Sequence, residues 1–267
     1  MVRLADAVEV MNRIWPLSSA DDWDNVGLLV GNPETEVHSA LLTVDITTET
    51  VREALALGAN LIVSHHPLIL QGQTTVLSNT AVGSVIHSAI SGGVGIVSLH
   101  TNADHPQFGV SEAFALALGL NNLIPLDALS GHGRIGTVAA VSLSDFAKRI
   151  IAVLPRCAAP VRVSGDPDRV VQRVAVLAGS GASFLQSALT AKVDVLVTSD
   201  LKHHQALDFL AETRLWSDPC AVIDVSHWAA ESVWLQTAAA QLRASLPTMN
   251  FEISKLSTDP WTFSLQA

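Results

Sequence analysis

Apolar and polar positions alternate along this chain so as to predict short buried strands separated by amphipathic helices. Leu4, Val8, Met11 and Ile14 recur at helical spacing and predict a helix over 3–15. Residues 40–44 read as a strand ending at Asp45. A helix follows to about Leu57, capped by Thr47 or Thr48 and closed at Gly58. Residues 61–64 form a second strand, 80–90 a helix, and 94–99 a third strand ending at His100. After a helix at about 110–119, residues 121–133 read as a loop. A strand over 135–141, a helix over 144–154, a strand over 174–179, a helix over 183–191 and a strand over 195–198 follow. Residues 229–246 predict one last long helix, with Leu235, Ala238, Leu242 and Leu246 on one face, and 251–255 an edge strand. Asp259-Pro260-Trp261 carries no assignable pattern.

The first pattern returns in the second half. Residues 40–66 lie on 174–200 without a gap, so that Leu61-Ile62-Val63-Ser64 falls on Val195-Leu196-Val197-Thr198, and His65 and His66 fall on Ser199 and Asp200. Ile96 to His100 corresponds to Ile223 to His227, and Asp104 to Glu231. The strand–helix–strand order argues for α/β architecture with largely parallel sheets. The expected fold is two related three-layer α/β lobes, 1–125 and 126–267, with the site at their interface and the C-terminal segment free to pack back on the first lobe.

Composition narrows the function classes. Of 267 residues, 49 % are apolar and 15 % charged, enough for a sizeable core. The net charge of −10 leaves no basic face for phosphate contacts, so nucleic acid is not an expected partner. No apolar run approaches the roughly 18 residues of a membrane span. Asp6 and Glu9 interrupt what a signal peptide would need as its apolar region. Cys157 and Cys220 form no CxxC pair, which fits a reducing compartment. The expectation is a cytoplasmic protein acting on a small-molecule substrate.

The candidate chemistry lies at strand ends, where open parallel sheets bind ligands. His65 and His66 follow the strand at 61–64, and Pro67 stops it. His227 and Glu231 stand four apart at a helix start, on one face. His100 and Asp104 share that spacing, but Pro106 suggests a loop. This nitrogen and oxygen donor set suits Zn²⁺, Fe²⁺ or Mn²⁺. It exceeds one tetrahedral site and fits two metals about 3.5–4 Å apart, whose reaction class is hydrolysis. His204, beside Lys202 and His203, is the best further candidate for a proton donor. Gly179-Ser180-Gly181 offers amides for a phosphate or carboxylate but lacks a P-loop lysine. His38 and His87 read as structural or surface residues.

Six stretches together carry a family resemblance: Trp23-Asp24-Asn25-Val26-Gly27-Leu28, Ser64-His65-His66-Pro67-Leu68, His100-Thr101-Asn102-Ala103-Asp104, Gly179-Ser180-Gly181, Thr198-Ser199-Asp200-Leu201-Lys202-His203-His204 and His227-Trp228-Ala229-Ala230-Glu231. In this order they resemble the Nif-three-like dinuclear-metal proteins, also called type-two homologues of GTP cyclohydrolase I. The resemblance implies two divalent cations held by His65, His66, Asp104, His227 and Glu231, with Glu231 as the bridge and His100 as an acid or base beside them. It implies a metal-dependent hydrolase of a small nucleotide-like or heterocyclic substrate, or else a non-catalytic metal-handling or partner-binding protein, and a homohexamer. Three positions depart from the family pattern: Ser226 and Ser199 replace glycines, and Ser111 replaces an asparagine.

Overall fold

The computed structural model describes residues 2–216 and 219–265. The elements run β1 (Val2–Arg3), α1 (Leu4–Ile14), β2 (Gly27–Val30), β3 (Glu36–Val37), β4 (Ser39–Thr43), α2 (Thr48–Ala56), β5 (Leu61–Ser64), α3 (Ala81–Ser91), β6 (Gly95–Ser98) and α4 (Thr101–Asp104). Then come α5 (Val110–Ala117), β7 (Asn121–Pro125), β8 (Arg134–Ser142), α6 (Leu143–Val153), β9 (Arg162–Ser164), β10 (Val170–Ser180), α7 (Leu185–Ala191), β11 (Val195–Ser199), α8 (His203–Thr213), β12 (Ala221–Asp224) and α9 (His227–Ser232). The chain closes with α10 (Trp234–Ser245) and β13 (Asn250–Ile253). It divides into two compact units, Met1–Phe108 with Leu235–Thr258, and Gly109–Trp234 with Asp259–Ala267.

The first unit holds a five-stranded sheet in the order β13-β4-β5-β6-β2. β13, β4, β5 and β6 run parallel, and β2 pairs antiparallel with β6. β4, β5 and β6 are buried along their whole length, which requires cover on both faces and explains their unbroken apolar runs. Val51, Ala54, Val85, Ile86 and Ala89 from α2 and α3 pack with Leu41, Ile62 and Ile96 of the sheet. Fully burying a valine or leucine side chain contributes about 1.5–3 kcal/mol. α2 starts with a reciprocal cap: Thr50 N–H donates to Thr47 Oγ1 at 3.2 Å, and Thr47 N–H to Thr50 Oγ1 at 2.8 Å.

The second unit holds a six-stranded sheet in the order β7-β8-β10-β11-β12-β9. Its parallel centre, β10-β11-β12, repeats the β4-β5-β6 arrangement. Ala40 pairs with Leu61 in one sheet and Val174 with Val195 in the other, at the positions the sequence alignment matched.

The structure differs from the sequence expectation in several places. Residues 121–125 form β7, paired with β8, where a loop was expected; the strand is short and exposed, so no buried alternation marks it. The division falls at 108/109 and not at 125, because 110–125 pack with the second unit. Ser111 Oγ accepts from the Ala178 N–H at 3.2 Å, where the β10 register against β11 shifts, and Arg134 Nε donates to Glu112 at 3.3 Å. The expected helix over 229–246 is α9 and α10, broken at Val233. Its apolar stripe continues across the break, with Leu235, Ala238 and Leu242 buried, which hides the interruption from periodicity. Among the described residues no helix is long and apolar enough to cross a membrane. Both cysteines are free, and burial pushes the Cys220 thiol up to about 12.

Candidate functional site

In the first unit, β4, β5 and β6 end in register at Thr43, Ser64 and Ser98. The Ser98 hydroxyl donates to the Ser64 hydroxyl at 2.8 Å, and the Ser64 hydroxyl donates to the His66 carbonyl at 2.8 Å, which fixes the turn after β5. His65 is buried, with Nδ1 2.9 Å from the Leu99 carbonyl. A carbonyl only accepts, so Nδ1 carries a proton, and Nε2 lies on the side of Asp104. His66 Nδ1 lies 2.7 Å from Asp45 Oδ1, and His100 Nδ1 lies 2.9 Å from Asp24 Oδ1. The ligand atoms of His65, His66 and His100 lie within 4.8 Å of one another. Asp104 Oδ1 is 3.6 Å from His65 Nε2. It sits on the short helix α4, not on a loop, because Pro106 lies beyond the turn.

Asp24 is held by more than His100. Thr101 donates to its Oδ2 through N–H at 3.0 Å and through the hydroxyl at 2.6 Å. Burial alone would raise the Asp24 carboxyl, but the hydrogen bonds from His100 and Thr101 outweigh it and hold it well below the usual carboxylate range. Asp24 is therefore a permanent anion behind His100.

In the second unit, Ser226 caps α9 by accepting from the Ala229 N–H, and its hydroxyl donates to Asp259. The serine thus starts the helix that carries His227 and Glu231 and ties down the otherwise irregular tail. His227 Nδ1 is 2.6 Å from Asp200 Oδ2, and Nε2 is 2.8 Å from Glu231 Oε1. Asp200 reaches this position with φ +60°, a left-handed conformation that aspartate tolerates better than most residues. Glu231 is buried against Gly179, where a Cβ would stand 2.5 Å from Oε1. At Gly181 a Cβ would stand 2.0 Å from Thr198 Oγ1. The two glycines therefore make room for side chains.

The four imidazoles share one arrangement: each has Nδ1 held by a carboxylate or carbonyl, and in His65 and His227 Nε2 lies against a further carboxylate, Asp104 and Glu231. A carboxylate or carbonyl behind the imidazole orients histidines toward metals and sets their tautomer. Ligand bonds of about 2.0–2.2 Å place two donors on one ion no more than roughly 4.4 Å apart. The His65–Asp104 and His227–Glu231 spacings of 3.6 and 2.8 Å lie inside that limit. Two carboxylates flanking His227 also call for positive charge between them, as a proton or a cation. The donor set fits divalent transition metals.

The family model described as Duf34/NIF3 (NGG1p interacting factor 3) matches residues 2–260. The chain belongs to this family. Among curated NIF3 relatives, a Streptomyces coelicolor protein named GTP cyclohydrolase 1 type 2 homolog is 40 % identical, covering 98 % of this chain and 94 % of the relative. Among solved structures, the Staphylococcus aureus hypothetical protein SA1388 is 29 % identical with a TM-score of 0.88, covering 98 % and 99 % of the two chains. A Bacillus cereus protein related to NIF3 shares the fold at a TM-score of 0.90 and 23 % identity, covering 99 % of both.

The structure groups His65, His66, His100 and Asp104 in one unit and His227 and Glu231 in the other. His204 stands exposed at the start of α8, edge-on to His203 with ring centroids 5.2 Å apart, and belongs to no metal-ligand group among the described residues. His38 and His87 are exposed, as expected. The roles of Asp24, Asp45 and Asp200 as anchors of imidazoles were not read from the sequence. Their only signal was their position at the ends of strands or in the polar loop before β2.

Proposed function

We propose that the ligand sets of the two units hold two divalent cations and that the chain is a metal-dependent hydrolase of a small nucleotide-like or heterocyclic substrate. The observation that carries this reading is the shared anchoring of His65, His66, His100 and His227, each through Nδ1, with Asp104 and Glu231 beside the Nε2 atoms of His65 and His227. His65, His66, Asp104, His227 and Glu231 would hold the ions, with Glu231 shared. When bound, such ions supply Lewis acidity toward a substrate oxygen and lower the pKa of water. The residues of the chain do the rest. Asp45 and Asp200 orient His66 and His227, and the Leu99 carbonyl sets the tautomer of His65. His100, backed by the Asp24 anion, holds a proton for the leaving group. His204 is the alternative proton donor. The names of the curated relatives support a nucleotide-like substrate.

The test is a turnover screen of the metal-loaded chain with nucleotides and heterocycles, beside His100→Ala and His204→Ala. Turnover that falls in His100→Ala while metal is retained supports the hydrolase. Metal-loaded protein without turnover on any substrate favours a metal-handling or partner-binding role.

A further inference from the structure

A groove opens on the core of the first unit. Ile46, Leu68 and Val82 are only partly buried and pack on the cluster between α2, α3 and the sheet. They line a groove of about 340 Å³, and His66 and Pro67 line it too. The groove therefore begins at a candidate metal ligand and ends on apolar side chains.

Its chemistry selects against a phosphate. No lysine or arginine lines it, and Asp45 is a lining residue. A bound anion would face that carboxylate with no side-chain cation to offset it. Three hydroxyl-bearing residues, Thr47, Thr48 and Ser84, also line it, and the Thr47 hydroxyl caps α2. The Thr48 hydroxyl donates to the Glu49 carboxylate at 3.1 Å and the Ser84 hydroxyl to the Ala81 carbonyl at 2.8 Å. With their hydrogens engaged, both oxygens are left as acceptors. The volume is near the lower end of the roughly 300–1,000 Å³ of small-molecule pockets, room for one or two fused rings and not for a triphosphate as well.

We propose that this groove binds the ring portion of the substrate: an uncharged, flat heteroaromatic ring carrying N–H donors, seated on Ile46, Leu68 and Val82 with its reactive edge toward His66. The proposal rests on reading His66 as part of a hydrolytic metal centre. Ala81 is exposed and lines the groove at the first residue of α3, so Ala81→Trp fills it without replacing a ligand or a core side chain.

The experiment is calorimetric titration of the full metal-loaded chain with guanosine, an uncharged ring with N–H donors, and with inorganic phosphate as the anionic control. Ala81→Trp and Ser84→Ala are titrated alongside, and metal content is measured on the same samples. Guanosine should bind the wild type and bind Ala81→Trp at least about tenfold more weakly, a loss of about 1.4 kcal/mol. Ser84→Ala should weaken it severalfold, phosphate should not compete, and metal content should be equal in all three. Equal binding by Ala81→Trp, displacement by phosphate, or no binding to the loaded wild type would each overturn the groove assignment. Failure of the metal reading looks different: a chain that takes up no metal but still binds guanosine in an Ala81-dependent way retains the ring site and loses the hydrolytic centre.

Discussion

The carboxylate of Glu231 occupies the space a side chain on Gly179 would need, with Oε1 2.5 Å from the position of a Cβ. Gly179 also has φ +82°, a conformation that costs an L-residue about 1–2 kcal/mol. Gly179→Ala should therefore lower stability by about 1–3 kcal/mol and displace Glu231. Chemical denaturation and metal content measured together check this. A variant as stable as the wild type, with undiminished metal, would contradict the packing role given to Gly179.

Each anchoring carboxylate should tune metal affinity without being a ligand. Asp24→Asn, Asp45→Asn and Asp200→Asn keep side-chain size but replace the anion behind His100, His66 and His227. Loss of such a partner typically lowers metal affinity about 10–100-fold. Competition with a chelator of known affinity reads the effect. Affinities unchanged in all three variants would mean that these contacts do not serve a metal site.

Asp127 gives a pH prediction away from the site. Its carboxylate accepts from the Ser130 N–H at 2.8 Å, the Ser187 hydroxyl at 2.8 Å and the Leu129 N–H at 3.0 Å. These bonds, the Ser130 backbone first, hold its pKa at about 2. A depressed folded-state pKa contributes stability that is present above the usual carboxylate value of about 3.8 and lost as pH falls through 2. Asp127→Ala should cost about 1 kcal/mol at pH 7, kept small by solvent screening, and this cost should shrink steadily below pH 4. Urea unfolding of both proteins from pH 7 down to pH 2.5 measures it. A cost that grows on acidification would refute the assignment.

The histidines of the candidate site were legible in the sequence because parallel strands buried on both faces leave unbroken apolar runs, and the polar residues after those runs mark the ends of the sheet. His65, His66, His100 and His227 were found that way. Their anchors were not, since Asp24 lies 76 residues from His100, Asp45 21 from His66 and Asp200 27 from His227, and no local periodicity links them. The steric role of Gly179 was hidden for a related reason. A glycine pair after a strand serves an anion or a close side chain equally well, and here the deciding residue is Glu231. The edge strand β7 and the break between α9 and α10 escaped because neither interrupts the pattern of buried apolar positions.

The most direct test of the central claim is metal content per chain, by elemental analysis of protein purified without chelator, beside His66→Ala and Glu231→Ala. The account predicts about two ions per wild-type chain and a loss in each variant, since His66 and Glu231 are both proposed ligands. A chain that takes up no metal, even after anaerobic loading with Zn²⁺, Mn²⁺ or Fe²⁺, would contradict it.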